Sequence, residues 1–167
     1  MPCSNLVGKD LIKKWVKNQH DIKTILDIGP GIGTYYYLLK PIRPDIKFIA
    51  VEIWQPYVQN FMLNNYYDKV IIGDFREIDL PKADCVILGD VLEHVEKESA
   101  ISSVQAMKAM YRHVIISIPW GKSRGGPALG NPYEEHKSFW TYQEVSDLTG
   151  PFFDIKAEYP TLGVFIK

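Results

Sequence analysis

The sequence predicts an α/β fold: a doubly wound, mostly parallel seven-stranded sheet with an antiparallel C-terminal hairpin strand. Three observations predict it. Residues 24–39, TILDIGPGIGTYYYLL, read as a short β-branched strand, a glycine turn and an apolar helix. Short apolar runs then alternate with helix-compatible segments as far as residue 118. The last two strand-like runs follow one another with no helix between them, which requires an antiparallel edge.

Taken in order, Val7, Leu11 and Trp15 repeat at helical spacing after Ser4, a residue able to cap a helix. Lys9, Lys13, Lys14 and Lys17 lie among them and read as a solvated face. A loop over 18–23 leads to the strand at 24–28, and the helix at 32–39 ends before Pro41 and Pro44. A second strand, 46–51, is closed by Glu52, and a helix over 54–63 tolerates Pro56 in its first turn. A third strand, 69–72, runs into Gly73-Asp74-Phe75, and a fourth, 84–88, into Gly89-Asp90. The helix at 96–111 carries Ile101, Val104, Met107 and Tyr111 on one face, and the strand at 113–118 stops at Pro119. Residues 119–140 are rich in glycine and proline and read as a binding loop or lid. A helix over 141–148 and strands over 152–159 and 161–167, hinged at Pro160, complete the chain.

Composition excludes several classes. The 167 residues suffice for one domain, and 46% hydrophobic content is that of a globular protein. A net charge of −1 gives no basic field to recruit nucleic acid. Cys3 and Cys85 form neither a disulfide framework nor a zinc spacing, and Cys85 reads as a buried small hydrophobe. A reducing cytoplasm fits. The N-terminus lacks the apolar core of a signal peptide, and no run is long enough to span a membrane.

The glycine turn carries the chemistry. Gly29, Gly31 and Gly33 let the backbone turn sharply and a ligand approach the main chain, with helix N–H groups facing it. The dinucleotide fingerprint is the nearest pattern, but its third glycine would stand at Thr34. Asp27, two residues before the first glycine, gains nothing beside a pyrophosphate and suits a ligand bearing an ammonium and a sulfonium. Asp27-x-Gly29-x-Gly31-x-Gly33 resembles the first motif of the class I S-adenosylmethionine-dependent methyltransferases. GDF at 73–75 and GDVLEHV at 89–95 are similar to that family's later motifs.

The resemblance covers about residues 22–167 and implies one domain over 1–167. Within it lie an N-terminal helix and loop (1–23), a cofactor-binding half (24–118), a loop over the pocket (119–140), and a final helix with hairpin (141–167). It implies S-adenosylmethionine as cofactor, held at the carboxyl ends of the strands. Asp27 and the turn Gly29-Pro30-Gly31 with Gly33 would face its amino acid end. Glu52, 19 residues past Gly33, would accept the ribose hydroxyls. Ile53 and Trp54 would border the adenine, Asp74 would accept from its amino group, and Phe75 would add a backbone N–H or an apolar wall. Asp90 would complete the cofactor set.

Methyl transfer asks the protein to position a nucleophile and to take its proton. Asp90, Glu93 and His94 share a face if a helical turn starts at Asp90, and His136 comes from the long loop. His94 and His136 are the candidate bases. The same four residues resemble a divalent-metal set found in some family members, although the leading acid is here the shorter Asp90; a packed or cofactor-side role is the plainer alternative. Trp120, Tyr133 and Trp140 could wall an apolar acceptor or merely order the loop, while Lys122, Arg124 and Lys137 could touch phosphates locally. No Asn/Asp-Pro-Pro-Tyr/Phe motif follows the fourth strand, which argues against amino methylation of adenine or glutamine. The expectation is a methyltransferase for a small-molecule acceptor, oxygen slightly favoured over nitrogen, with no clear nucleic-acid signal. The alternatives are a non-catalytic S-adenosylmethionine-binding module and an NAD-dependent oxidoreductase.

Overall fold

Strand β1 (Thr24–Ile28) is buried on both faces, which is why its sequence reads as an unbroken apolar run. In the computed structural model, which describes residues 5–121 and 129–167, it lies at the centre of a seven-stranded sheet. The other strands are β2 (Lys47–Glu52), β3 (Lys69–Ile72), β4 (Cys85–Gly89), β5 (His113–Pro119), β6 (Ile155–Glu158) and β7 (Leu162–Ile166). The order is β3-β2-β1-β4-β5-β7-β6; the first five strands run parallel, and β7 pairs antiparallel with both β5 and β6. The chain therefore reverses its direction of winding between β1 and β4, and a crevice opens there at the carboxyl edge.

Helices α1 (Lys9–Asn18), α2 (Thr34–Leu39) and α3 (Gln55–Asn60) belong to one face, and α4 (Lys97–Met110) and α5 (Tyr142–Thr149) to the other. Two cores result. Ile25 of β1 joins Ile12, Val16, Tyr35 and Phe48, while Leu26 and Ile28 join Val104, Met107 and Val145. The period-2 alternation of β1 thus decides which core each residue enters. Thr141 caps α5 through a reciprocal bond with Glu144, the arrangement its sequence allows.

The structure corrects several expectations. Helix α1 begins at Lys9 behind Gly8, whose φ of 75° is left-handed; Ser4, like Cys3, Lys122 and Arg124, lies outside the described residues. The most buried face of α1 runs through Lys9, Ile12 and Val16, with Val7, Leu11 and Trp15 packed at its margin. Lys9 is therefore not solvated, because its ammonium meets buried polar partners described below. The helix expected over 54–63 stops at Asn60, since Met62 takes a left-handed φ of 51°. The strand expected from 152 starts at Ile155, because Gly150-Pro151-Phe152 forms a 3-10 turn. Of the aromatic trio, Trp140 is a core residue, and Trp120 packs against Phe165 and donates to the Tyr159 carbonyl oxygen.

Arg43 locks α1 to the loop before β2. Its guanidinium donates to the carbonyl oxygens of Val16, Gln19 and Ile22 and forks onto Asp45. Arg43→Met keeps the stem but removes the bonds to all three carbonyl oxygens, of which Val16 and Gln19 keep a backbone N–H donor, and should cost roughly 2–4 kcal/mol. Urea unfolding measures this; an unchanged midpoint would remove the clamp from the account.

Candidate active site

The glycine turn leaves the end of β1 with left-handed φ at Gly29, Gly31 and Gly33, at 62°, 53° and 84°. A Cβ at Gly33 would meet the Tyr66 hydroxyl at 2.8 Å, so the position needs glycine for space as well as for conformation. The turn forms one wall of a cavity of about 600 Å³ at the carboxyl ends of β1, β2, β3 and β4. Gly29, Pro30, Gly31, Glu52 and Ile53 line it, as do Asp74, Phe75, Asp90, His94 and His136. Asp27 and Gly33 do not.

Asp27 corrects the expectation that it faces a ligand. It alternates with Ile28 along β1, so its side chain turns toward the α1 and α2 face, where it is 1% exposed. Tyr67 Oη donates to its Oδ2 at 2.6 Å, and its Oδ1 has no partner among the described residues. Burial pushes its carboxyl up to about 7, against the pull of Tyr67 and Lys9. Asp27 underlies the turn rather than lining the cavity.

Glu52 lines the cavity. It is buried, accepts the Trp54 N–H at 2.8 Å and a bond from the Gly31 backbone, and is raised to about 7 chiefly by desolvation. These two donors leave lone pairs open, which a ribose diol would fill. Asp74 is engaged by a residue that sequence reasoning missed: Arg76 forks onto both of its oxygens and holds its carboxyl below the usual range. The two-residue spacing was visible in the sequence, but only the turn after β3 folds Arg76 back.

At the far side, Leu92-Glu93-His94 form a 3-10 turn, not the helical turn starting at Asp90, whose φ is 57°. Asp90 therefore separates from its neighbours. Its oxygens accept from the Asn5 N–H at 2.7 Å and the Ser117 hydroxyl at 3.0 Å. Glu93, His94 and His136 come together instead, with potential ligand atoms within 4.8 Å of one another. Residues 137 and 138 fix that juxtaposition, since the N–H groups of Lys137 and Ser138 both donate to the Glu93 carbonyl oxygen, at 2.7 and 3.0 Å. The three side chains could hold a divalent ion with open positions; Asp90, the fourth member of the expected set, is not among them.

Burial dominates the electrostatics of this corner. Burial pushes the Glu93 carboxyl well above its usual range, and the neighbouring Asp90 charge adds to this. Burial, then the proximity of His136, lowers His94 to about 4. His94 Nε2 lies 3.8 Å from Glu93 Oε1, and burial disfavours the charged form of both groups. The two imidazoles meet edge to face with centroids 4.9 Å apart. Tyr57, Asn131, Tyr133, Glu134 and Lys137 complete this side of the lining, none of them marked by a motif. Tyr133, with Trp54 at 6.1 Å, is the member of the aromatic trio that reaches the cavity.

The donor set suits a cationic nucleoside. Glu52, Asp90, Glu93 and Glu134 line the cavity, and of its two cations Arg76 is spent on Asp74 while Lys137 remains. A pyrophosphate would meet mostly carboxylates.

Comparison with known proteins agrees with this geometry. The family model described as methyltransferase domain matches residues 26–115. A tRNA (guanine-N(7)-)-methyltransferase of Corynebacterium diphtheriae is 28% identical over 102 residues, covering 61% of this chain and 33% of that protein. The chain thus spans about a third of the length of the curated relatives it matches. Among solved structures, mitomycin 7-O-methyltransferase MmcR superposes with a TM-score of 0.65 at 15% identity, over 96% of this chain and 54% of that one. Human N-acetylserotonin methyltransferase in complex with SAM gives 0.68 at 16% identity, over 96% and 51%. At these identities the likeness is one of fold.

Asp27 provides a test of the buried carboxylates. Its raised value means that the folded state holds the proton more tightly than the unfolded chain does. That stabilisation is complete below about pH 4 and is lost as the pH rises through about 7. Asp27→Asn should therefore gain on the wild type by roughly 2–3 kcal/mol between pH 5 and pH 8 in denaturant melts. Parallel curves would contradict the burial of a titrating carboxyl there.

Proposed function

Because the chain belongs to the methyltransferase-domain family, the class I S-adenosylmethionine-dependent methyltransferases, whose cofactor is S-adenosylmethionine, we propose that it methylates a hydroxyl oxygen of a small molecule. One observation carries the choice of oxygen. His94 Nδ1 lies 3.3 Å from the Glu135 carbonyl oxygen, an atom that can only accept. The tautomer with its proton on Nδ1 satisfies that contact and carries a lone pair on Nε2. With the ring lowered to about 4, that lone pair stays unprotonated across the neutral range. A hydroxyl must lose a proton on methylation, and in this reading His94, which lines the cavity, takes it on Nε2. His136, edge-on to His94, would orient the acceptor or share the proton.

The bound cofactor supplies an activated methyl carbon on a sulfonium. Its holders in this reading are Glu52 for the ribose, Ile53, Asp74 and Phe75 around the base, and the turn at Gly29-Pro30-Gly31. Gly33 shapes the turn from behind, and Asp27 supports it from beneath with Tyr67. Asp90 faces the cationic end. Tyr133, 40% exposed at the rim, would cover a planar acceptor. Residues 122–128 of the expected lid lie outside the described residues and have no part in this reading.

A tRNA acceptor is the second reading, favoured by the names of the curated relatives. The net charge of −1 and the carboxylates of the cavity weigh against it. Among the described residues no helix is long and apolar enough to cross a membrane.

The test is release of S-adenosylhomocysteine with phenols, aliphatic alcohols, primary amines and unmodified tRNA as separate acceptors. Turnover on a hydroxyl acceptor is expected. Turnover on tRNA alone would transfer the assignment to the second reading, and none on any acceptor would leave a binding module. With the responding acceptor, His94→Gln should lower kcat about a hundredfold or more, with S-adenosylmethionine affinity within about threefold. An unchanged kcat would remove His94 as the base.

A further inference from the structure

Lys9 stands at the start of α1, far in sequence from the glycine turn and the strand ends, yet it is 3% exposed. Its Nζ donates to Tyr35 Oη at 2.5 Å and to Ser117 Oγ at 3.4 Å, and lies 4.2 Å from the centre of the Tyr35 ring. Ser117 Oγ in turn donates to Asp90 Oδ1 at 3.0 Å. The other Asp90 oxygen takes the Asn5 N–H at 2.7 Å. The N-terminal segment, α1 and β5 thus converge behind one carboxylate that lines the cavity from a left-handed backbone position. Tyr35 is itself pinned, since a Cβ on Gly89 would fall 2.0 Å from its ring.

A buried ammonium is costly unless carboxylates face it. Asp90, Asp27 and Glu93 do so from just after β4, from β1 and from the 3-10 turn, and they oppose the effect of burial on Lys9. On the Asp90 side, Lys9 leads the groups that favour the carboxylate, ahead of the Asn5 N–H, Ser117 and His136. Lys9 comes last among the influences on Glu93, whose Oε2 has no hydrogen-bond partner among the described residues. Lys9 thus acts on Asp90 more strongly than on Glu93.

We propose that Lys9 is a positioning residue for the cofactor: through Ser117 it holds the Asp90 carboxylate in the cavity wall, facing the cationic end of S-adenosylmethionine. Lys9 does not line the cavity and touches no ligand in this account. The proposal rests on the cofactor reading above.

The experiment is a double-mutant cycle on S-adenosylmethionine affinity, measured by calorimetry on wild type, Lys9→Met, Asp90→Asn and the double variant, with thermal melts to confirm folding. Each single substitution should weaken binding about tenfold or more, as loss of a charge-assisted contact does. The double should be no more than about threefold weaker than the weaker single, because both remove one contact. Ser117→Ala should lose about three- to fivefold in the same direction, and paired with Asp90→Asn it carries the same cycle if Lys9→Met fails to fold. A folded Lys9→Met that binds as the wild type does, or fully additive effects, would overturn the proposal. A wild type that binds no S-adenosylmethionine would overturn the cofactor reading and this inference with it, an outcome distinct from additive effects on a binding protein.

Discussion

Carboxylates buried at the carboxyl edge of the sheet are the constraint on which the rest of this structure depends. Asp27, Glu52 and Glu93 are nearly inaccessible, and desolvation is the leading influence on each. An apolar core would not tolerate them without partners. Two of them recruit what their surroundings offer, a tyrosine hydroxyl for Asp27 and backbone N–H groups for Glu52, and the neighbouring Asp90 takes a serine with a lysine behind it. The provision is incomplete, because Asp27 Oδ1 and Glu93 Oε2 have no partner among the described residues. An edge arranged in this way is short of donors and positive charge, and a cationic nucleoside carries both.

The sheet supplies the place. Winding reverses between β1 and β4, so the loops after these strands diverge and leave a crevice that no helix fills. The glycine turn brings bare backbone to one side of it. The 3-10 turn at 92–94 and the segment at 131–137 close the other, held together by two backbone bonds to the Glu93 carbonyl. The two sides of the crevice thus come from separate segments of the chain, joined by packing and not by sequence proximity.

How much of this was legible in the sequence follows from the range of each interaction. Five parallel strands and the closing hairpin were readable because two-sided burial writes itself as apolar runs. Glu52, Asp74 and Asp90 were readable because strand ends have a position in the chain. Lys9 was not: its partners lie 26 and 108 residues away, and helical periodicity places a lysine in water unless something buried awaits it. The orientation of Asp27 was also hidden, since spacing brought it beside the glycines while strand alternation turned it away. Asp90 left the Glu93 and His94 cluster through one left-handed backbone angle, and Tyr57, Asn131 and Glu134 reached the cavity by tertiary contact alone.

The central claim is that this edge binds S-adenosylmethionine, and calorimetry of S-adenosylmethionine, S-adenosylhomocysteine and NADH against wild type and Glu52→Ala tests it most directly. The account expects both sulfur nucleosides to bind the wild type, NADH not to bind, and Glu52→Ala to lose about tenfold or more in affinity as charge-assisted contacts are removed. Binding of NADH without the sulfur nucleosides, or sulfur-nucleoside binding indifferent to Glu52, would contradict it.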